Sequence, residues 1–263
     1  MRIGKQDNAL TSICTSDAES ITVRGHDLCS EVIGKMDFTS YFWLLVTGIM
    51  PDARQKFMAD AVLCAIAEHG LVPSVVATRM TFAAAPEAFH GAVAAGLLGC
   101  GSVVLGSAEV AGQFYDECVR TSDDQGVSAA ESARSGIQTL RATRKAIPGF
   151  GHPEHSGGDP RALRLLSLAK EQGIEGRYCA MLRAIEAEIP GVIGRSLPIN
   201  VNGAIPAVML DAGFPLAALK GISLLARTAS LIGHLQEESE RPIGFMMSGA
   251  AAARITYDGA PGA

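Results

Sequence analysis

The sequence contains no apolar run of the ~20 residues that a membrane-crossing helix needs, no block of basic residues and no cysteine pair at metal-ligand spacing. The first absence argues against an embedded segment. The second, with a net charge of −5, argues against a nucleic-acid partner. Six scattered cysteines (14, 29, 64, 100, 118, 179) read as reduced thiols of a cytoplasmic protein rather than a disulfide framework or a metal site. Aromatic residues are scarce, 5% against 48% hydrophobic, so alanine and leucine must fill the core. The opening Met1-Arg-Ile-Gly-Lys-Gln-Asp-Asn8 lacks the apolar centre of a signal peptide. There is no strand ladder, repeat or low-complexity tract. The expected class is all-α, and 263 residues suffice for one large domain or two that share a core.

What the chain does have is one unusual bend. Between Pro148 and Arg161 lie three prolines, four glycines and two histidines, with helical patterns on both sides. Glycines 149, 151, 157 and 158 permit sharp turns or close approach to a ligand. Pro148, Pro153 and Pro160 fix φ. His152 and His155 exchange protons near neutral pH. Asp159-Pro160 is a helix start, an N-cap followed by proline, and Arg161 then presents a fork suited to a carboxylate.

Around the bend the spacing predicts helices. One runs through 41–48, capped by Asp37 or Ser40 and closed by Gly48. Others cover 53–68, 74–84, about 109–120, 128–143, 160–172 and 175–188; Pro198–Gly203 leads into a further helix that ends at Ala212, and a long last helix runs from about 215 to 237. Residues 86–99 are small and apolar throughout, which suggests a helix buried on all sides at a domain or subunit interface. Ser20–His26 reads as a short strand or turn, 121–126 and 190–198 as loops, and the Gly/Ala-rich tail as loose. Asp211 reads as a helix-end carboxylate, His90 as a packed or interface residue, and His234 as a cap or packing residue. Arg79, Arg195 and Lys145 are candidate phosphate contacts.

Several of these stretches, taken in order, resemble one family. Gly149-Phe-Gly-His152 followed by Asp159-Pro-Arg161 is similar to the citrate synthase loop that carries a catalytic histidine and, nine positions on, a citrate-binding arginine. Asn200-Val-Asn202 resembles that family's Asn-Val-Asp, and Leu225–His234 its late arginine helix. Glu240-Arg-Pro242, Ala67-Glu-His69-Gly70, Ile21–Asp27 and Leu44–Gly48 resemble further segments. The short branch, citryl-CoA lyases and the carboxy-terminal module of ATP-citrate lyase, is the closer likeness. In it, as here at Leu105, the histidine that stabilises the acetyl-CoA enol in synthases is missing.

The resemblance implies a helical enzyme that makes or breaks the carbon–carbon bond of citryl-CoA, yielding acetyl-CoA and oxaloacetate on cleavage. It implies a large domain (1–105 and 208–263), a small one (106–207), and a homodimer or higher homo-oligomer. It assigns carboxylates to Arg161, Arg227 and, from a neighbouring subunit, Arg241. It assigns hydrogen bonds to the carboxylates and the keto or hydroxyl oxygen to His69 and His152. The adenine of CoA, a substrate rather than a bound cofactor, goes to the backbone of Ala146, Ile147, Gly149, Phe150 and Gly151. The remaining catalytic position is Asn202, where the family carries its aspartate base. A carboxamide has no usable proton affinity near pH 7. Either another group such as His155 or Glu154 serves, or the chain is a paralogue with weak or different chemistry, or a variant altered to trap a ligand.

Overall fold

The computed structural model describes residues 9–101, 103, 105–151 and 158–259. Eleven helices make up most of them: α1 (Phe38–Thr47), α2 (Ala53–Ala67), α3 (Pro73–Ala84), α4 (Phe89–Leu98), α5 (Ser107–Gln125), α6 (Ala129–Ala142), α7 (Pro160–Glu171), α8 (Arg177–Ile193), α9 (Val201–Asp211), α10 (Leu219–Glu240) and α11 (Gly244–Arg254). The all-α class holds. A three-stranded antiparallel meander, β1 (Cys14–Ser16), β2 (Ile21–Val23) and β3 (His26–Asp27), precedes them. Of this the sequence suggested one strand at most, because two- and three-residue strands carry no periodic signal.

Local chemistry sets the helix ends. Asp37 accepts the Ser40 N–H and starts α1; Gly48, at φ 76°, ends it. Asp52 with Gln55, and Ser128 with Glu131, form capping boxes on α2 and α6. Asp211, at the end of α9, takes the N–H groups of Gly176, Tyr178 and Cys179 and so caps α8 from another helix. α5 continues through 121–125 to a left-handed Gly126, where a loop was expected. α8 runs past Pro190 to Ile193 and stops at Gly194. A proline removes one helical hydrogen bond, which a packed helix tolerates. The first part of the tail, Gly244–Arg254, forms α11 where a loose end was expected.

Two groups of helices surround two axes. α9 is buried along almost its whole length against α2, α5, α7 and α8. α10 packs against α2, α3, α4 and α5. With the turn before it, Leu216–Glu240 is long and apolar enough to cross a membrane by length and composition, contrary to the expectation of no such run. In the fold it is a core helix that buries Leu219, Ile222, Leu231 and Leu235.

One further expectation fails, and another is met on one face only within the single chain. Arg79 is no spare phosphate contact. It is 2% exposed and pairs with Glu238 at 2.6 Å and Glu237 at 2.8 Å. The other Glu238 oxygen accepts the N–H groups of Ile243 and Gly244, so one carboxylate ties α3, α10 and the start of α11 together. And α4 is buried on one side only: Ala92 and Gly96 face inward, while Phe89 and Leu98 are exposed. A Cβ on Gly96 would come within 2.8 Å of the Ser74 carbonyl, so the small residues serve α3 and α10 of the same chain.

Candidate active site

The bend and the start of α9 are stitched together. Gly151 N–H donates to the Pro198 carbonyl at 2.8 Å, Asn200 N–H to the Gly149 carbonyl at 3.0 Å, and the Asn200 carboxamide to the Gly151 carbonyl at 2.7 Å. Gly149 sits at φ 87°, and a Cβ there would reach 2.7 Å from Gly203 Cα. Only glycine allows the two backbones this approach.

Asp159 fixes Arg161. Its carboxylate caps α7 through the Arg161 N–H and takes two parallel bonds from that guanidinium, Nε and Nη2, each at 3.0 Å. It also accepts the Val201 N–H at 2.9 Å. Burial alone would raise the pKa of Asp159; the bonds from Arg161 and Val201 outweigh it and hold the pKa below the usual carboxylate range. The Arg161 fork is thereby preset beside the first turn of α9, where Asn202 lies.

Arg227 enters from α10. It is 3% exposed, its Nη1 donates to Ser230 at 3.3 Å, and its Nε has no hydrogen-bond partner among the described residues. Burial lowers its pKa; the nearby charge of Glu68 opposes that. A buried guanidinium with an open donor is costly unless an anion completes it.

These residues meet. One cleft of about 640 Å³ is lined by His69 and Leu71 after α2, Leu105 and Ser107 at the start of α5, Gly149 and Gly151 of the bend, and Arg161, Asn202 and Arg227. Two guanidinium groups thus share a cleft with an exposed imidazole and the carboxamide of Asn202. Such a set suits a small anion with more than one carboxylate. Leu105 takes φ 66°, a conformation costly for a branched residue, at the cleft wall.

His152, His155 and Glu154 lie outside the described residues. Arg241 caps the end of α10, pairs with Glu237, and lines a neighbouring hollow with Glu68 and His234. Of the expected adenine segment, the side chains of Ile147 and Phe150 are buried, Ala146 is exposed, and Gly149 and Gly151 reach the cleft. Asp159 and Glu68 escaped the sequence reading as site residues. The Asp-Pro-Arg order carried a signal for the first; none marked the second.

Comparison with known proteins gives the family. The family described as citrate synthase, C-terminal domain, matches residues 51–244. The solved citryl-CoA lyase of Hydrogenobacter thermophilus is 29% identical, with a TM-score of 0.85 over 100% of this chain and 97% of that one. ATP citrate lyase from Methanothrix soehngenii, solved with citrate and coenzyme A, shares the fold with a TM-score of 0.71 at 20% identity over 98% of this chain and 41% of that one. Citrate synthase of Synechocystis sp. is 24% identical over 210 residues, 78% of this chain, and this chain spans 50% of that relative's length. The chain therefore belongs to the citrate synthase family.

Proposed function

We propose that this protein cleaves citryl-CoA to acetyl-CoA and oxaloacetate, or runs the reverse condensation. The observation that carries the reading is the convergence of Arg161 and Arg227 on one cleft with His69 and Asn202. The likeness to a citryl-CoA lyase along the full length of both chains supports it.

The chemistry is a retro-aldol step. A base takes the proton of the tertiary hydroxyl, its oxygen becomes the oxaloacetate carbonyl, and the bond to the thioester methylene breaks. The electron pair passes to the thioester as an enolate, which a proton on carbon converts to acetyl-CoA. In this proposal Arg161 and Arg227 hold the carboxylates, and His69 and His152 hold the reacting oxygen. The backbone from Ala146 to Gly151 holds the adenine of CoA, which is a substrate and not a resident cofactor. Asn202 neither takes nor gives the final proton. His155 and Glu154 are the candidates for that task on the bend itself.

The proposal extends to architecture. Residues 106–207 form a small domain that closes on 1–105 and 208–263 and excludes water from the cleft. Two copies pair through the exposed apolar faces of α4 and α11, where Leu98 is 87% and Phe245 73% exposed. Arg241 completes the neighbouring copy's site. The location is cytoplasmic.

Asn202 favours a second reading, a catalytically weak paralogue that binds CoA or a carboxylate and regulates or scaffolds a partner. Purified protein is to be incubated with citryl-CoA while acetyl-CoA and oxaloacetate are followed. Acetyl-CoA and oxaloacetate released in equal amounts, with total thioester unchanged, are expected. Ligand stabilisation in a melt without turnover selects the second reading, and neither effect sinks both.

A further inference from the structure

We infer that Glu68 is a positioning residue, holding the His69 turn and the Arg227 helix at one spacing so that both serve the same anion. The inference rests on the carboxylate-binding role proposed above for the cleft. Glu68 caps the C-terminal end of α2. A carboxylate is electrostatically misplaced there, since the helix dipole presents its negative end. What it bonds explains its presence. Oε1 accepts the backbone N–H groups of His69 at 2.9 Å and Gly70 at 2.5 Å, which sets the turn that delivers His69 to the cleft. Oε2 accepts the Ser230 hydroxyl at 2.5 Å, and that same hydroxyl receives Nη1 of Arg227 at 3.3 Å. The side chain therefore spans from the backbone of one site element to the polar face of another, 162 positions away in sequence.

The second oxygen is anchored further. His234 Nε2 lies 3.0 Å from Glu68 Oε2, and His234 Nδ1 lies 3.4 Å from Nη1 of Arg79. Arginine only donates, so Nδ1 accepts and Nε2 carries the proton that it gives to Glu68. Arg79 is itself locked by Glu237 and Glu238. Four donors on one carboxylate and a buried ion pair behind them make a rigid brace, and its far end is the site. Burial works to raise the pKa of Glu68, but the Ser230 and His234 bonds prevail and keep it ionised. Its charge also sits near Arg227 and offsets the burial of that guanidinium.

The test compares Glu68→Ala, Glu68→Gln and the unaltered protein. Oxaloacetate and CoA affinities are measured by calorimetry, citryl-CoA cleavage by rate, and folding by thermal melt. Displacing site groups by an ångström costs on the order of 100-fold, so Glu68→Ala is expected to weaken oxaloacetate at least tenfold. CoA affinity and the melting midpoint should hardly move. Glu68→Gln keeps an oxygen for the His69 and Gly70 N–H groups but turns an NH2 toward Ser230 and the His234 N–H, so it should restore the turn and recover only part of the affinity. Ser230→Ala, which cuts the same brace at its far end, should weaken oxaloacetate in the same direction and keeps the test open if Glu68→Ala does not fold. Unchanged oxaloacetate binding in Glu68→Ala, or oxaloacetate, CoA and midpoint falling together, overturns the inference while leaving the cleft assignment intact. Failure of the unaltered protein to bind oxaloacetate removes the assignment itself, and the inference with it.

Discussion

Asp159 Oδ2 accepts the backbone N–H of Val201 at 2.9 Å, and through that bond one carboxylate joins the first turns of α7 and α9. The same group holds both Nε and Nη2 of Arg161. The two helix starts that frame the cleft are thus not independent. Asp159→Asn is expected to release Arg161, lower the affinity for oxaloacetate and cost on the order of 3 kcal/mol of stability, the scale for breaking a buried pair with its partner left behind. The pH dependence has a fixed sign. The folded pKa of Asp159 lies below its unfolded value of about 3.9. Its stabilisation is complete above that value and disappears as pH falls through the folded pKa. Acid unfolding below about pH 4 should therefore be shallower in the Asn variant than in the parent, as read by denaturant titration at several pH values.

Arg227 sets binding against stability. It is 3% exposed, its Nε has no partner among the described residues, and burial lowers its pKa. An apolar chain of similar length removes the desolvation cost of a buried charge whose donors are incompletely paired. Arg227→Met is expected to melt no lower than the parent. Its oxaloacetate affinity should drop roughly 10- to 100-fold, the worth of a hydrogen bond to a charged group. A variant that binds as well as the parent would remove Arg227 from the site.

Much of this architecture was open to reading from the residues. The helix starts at Asp37, Asp52, Ser128 and Asp159 are local chemistry: a short polar side chain before an apolar periodic run. Arg161 and Arg227 were found because the segments around them resemble a family in order. The meander was missed because it is shorter than any period. The ends of α5 and α8 were misjudged because Thr121–Gln125 is polar and Pro190 is a breaker, while tertiary packing overrode both. Arg79 and Glu68 could not be assigned because their partners, Glu238 and Ser230, lie about 160 positions away. Only the folded chain reveals that Arg79 is an anchor while Arg161 and Arg227 line one cleft.

The Gly149 contact makes a paired prediction. The Tyr115 hydroxyl is buried beside Gly149 with no hydrogen-bond partner among the described residues, and burial pushes its pKa well above the usual value. Tyr115→Phe removes a hydroxyl unpaired among the described residues and is expected to gain about 1 kcal/mol. Gly149→Ala must adopt φ 87° and push against both that hydroxyl and Gly203. It should lose on the order of 3 kcal/mol and weaken ligand binding by parting the bend from α9. Combining the two relieves only the hydroxyl clash, because Gly203 Cα remains 2.7 Å from the added methyl. Partial recovery of the melting midpoint in the double variant, with no recovery of binding, is the outcome that checks this arrangement.

Asn202 is the position where geometry and chemistry part. It lies in the first turn of α9, lines the cleft with both arginines, and stands where the proton-transferring group of the proposed reaction belongs. Its carboxamide is close in shape to a carboxylate, so Asn202→Asp should fold with an unchanged melting midpoint. If the rest of the cleft is competent, restoring a carboxyl there should raise citryl-CoA cleavage by about 100-fold or more, the usual worth of general acid–base catalysis. In the cleavage direction that carboxyl gives the final proton to carbon, so the rate should fall as pH rises through its pKa, a dependence the parent lacks. The two arginines beside it favour the ionised form and place that limb below the range of an isolated buried carboxyl. An unchanged rate, with oxaloacetate still bound, would mean that the proton moves through another group and that Asn202 serves only to hold the substrate.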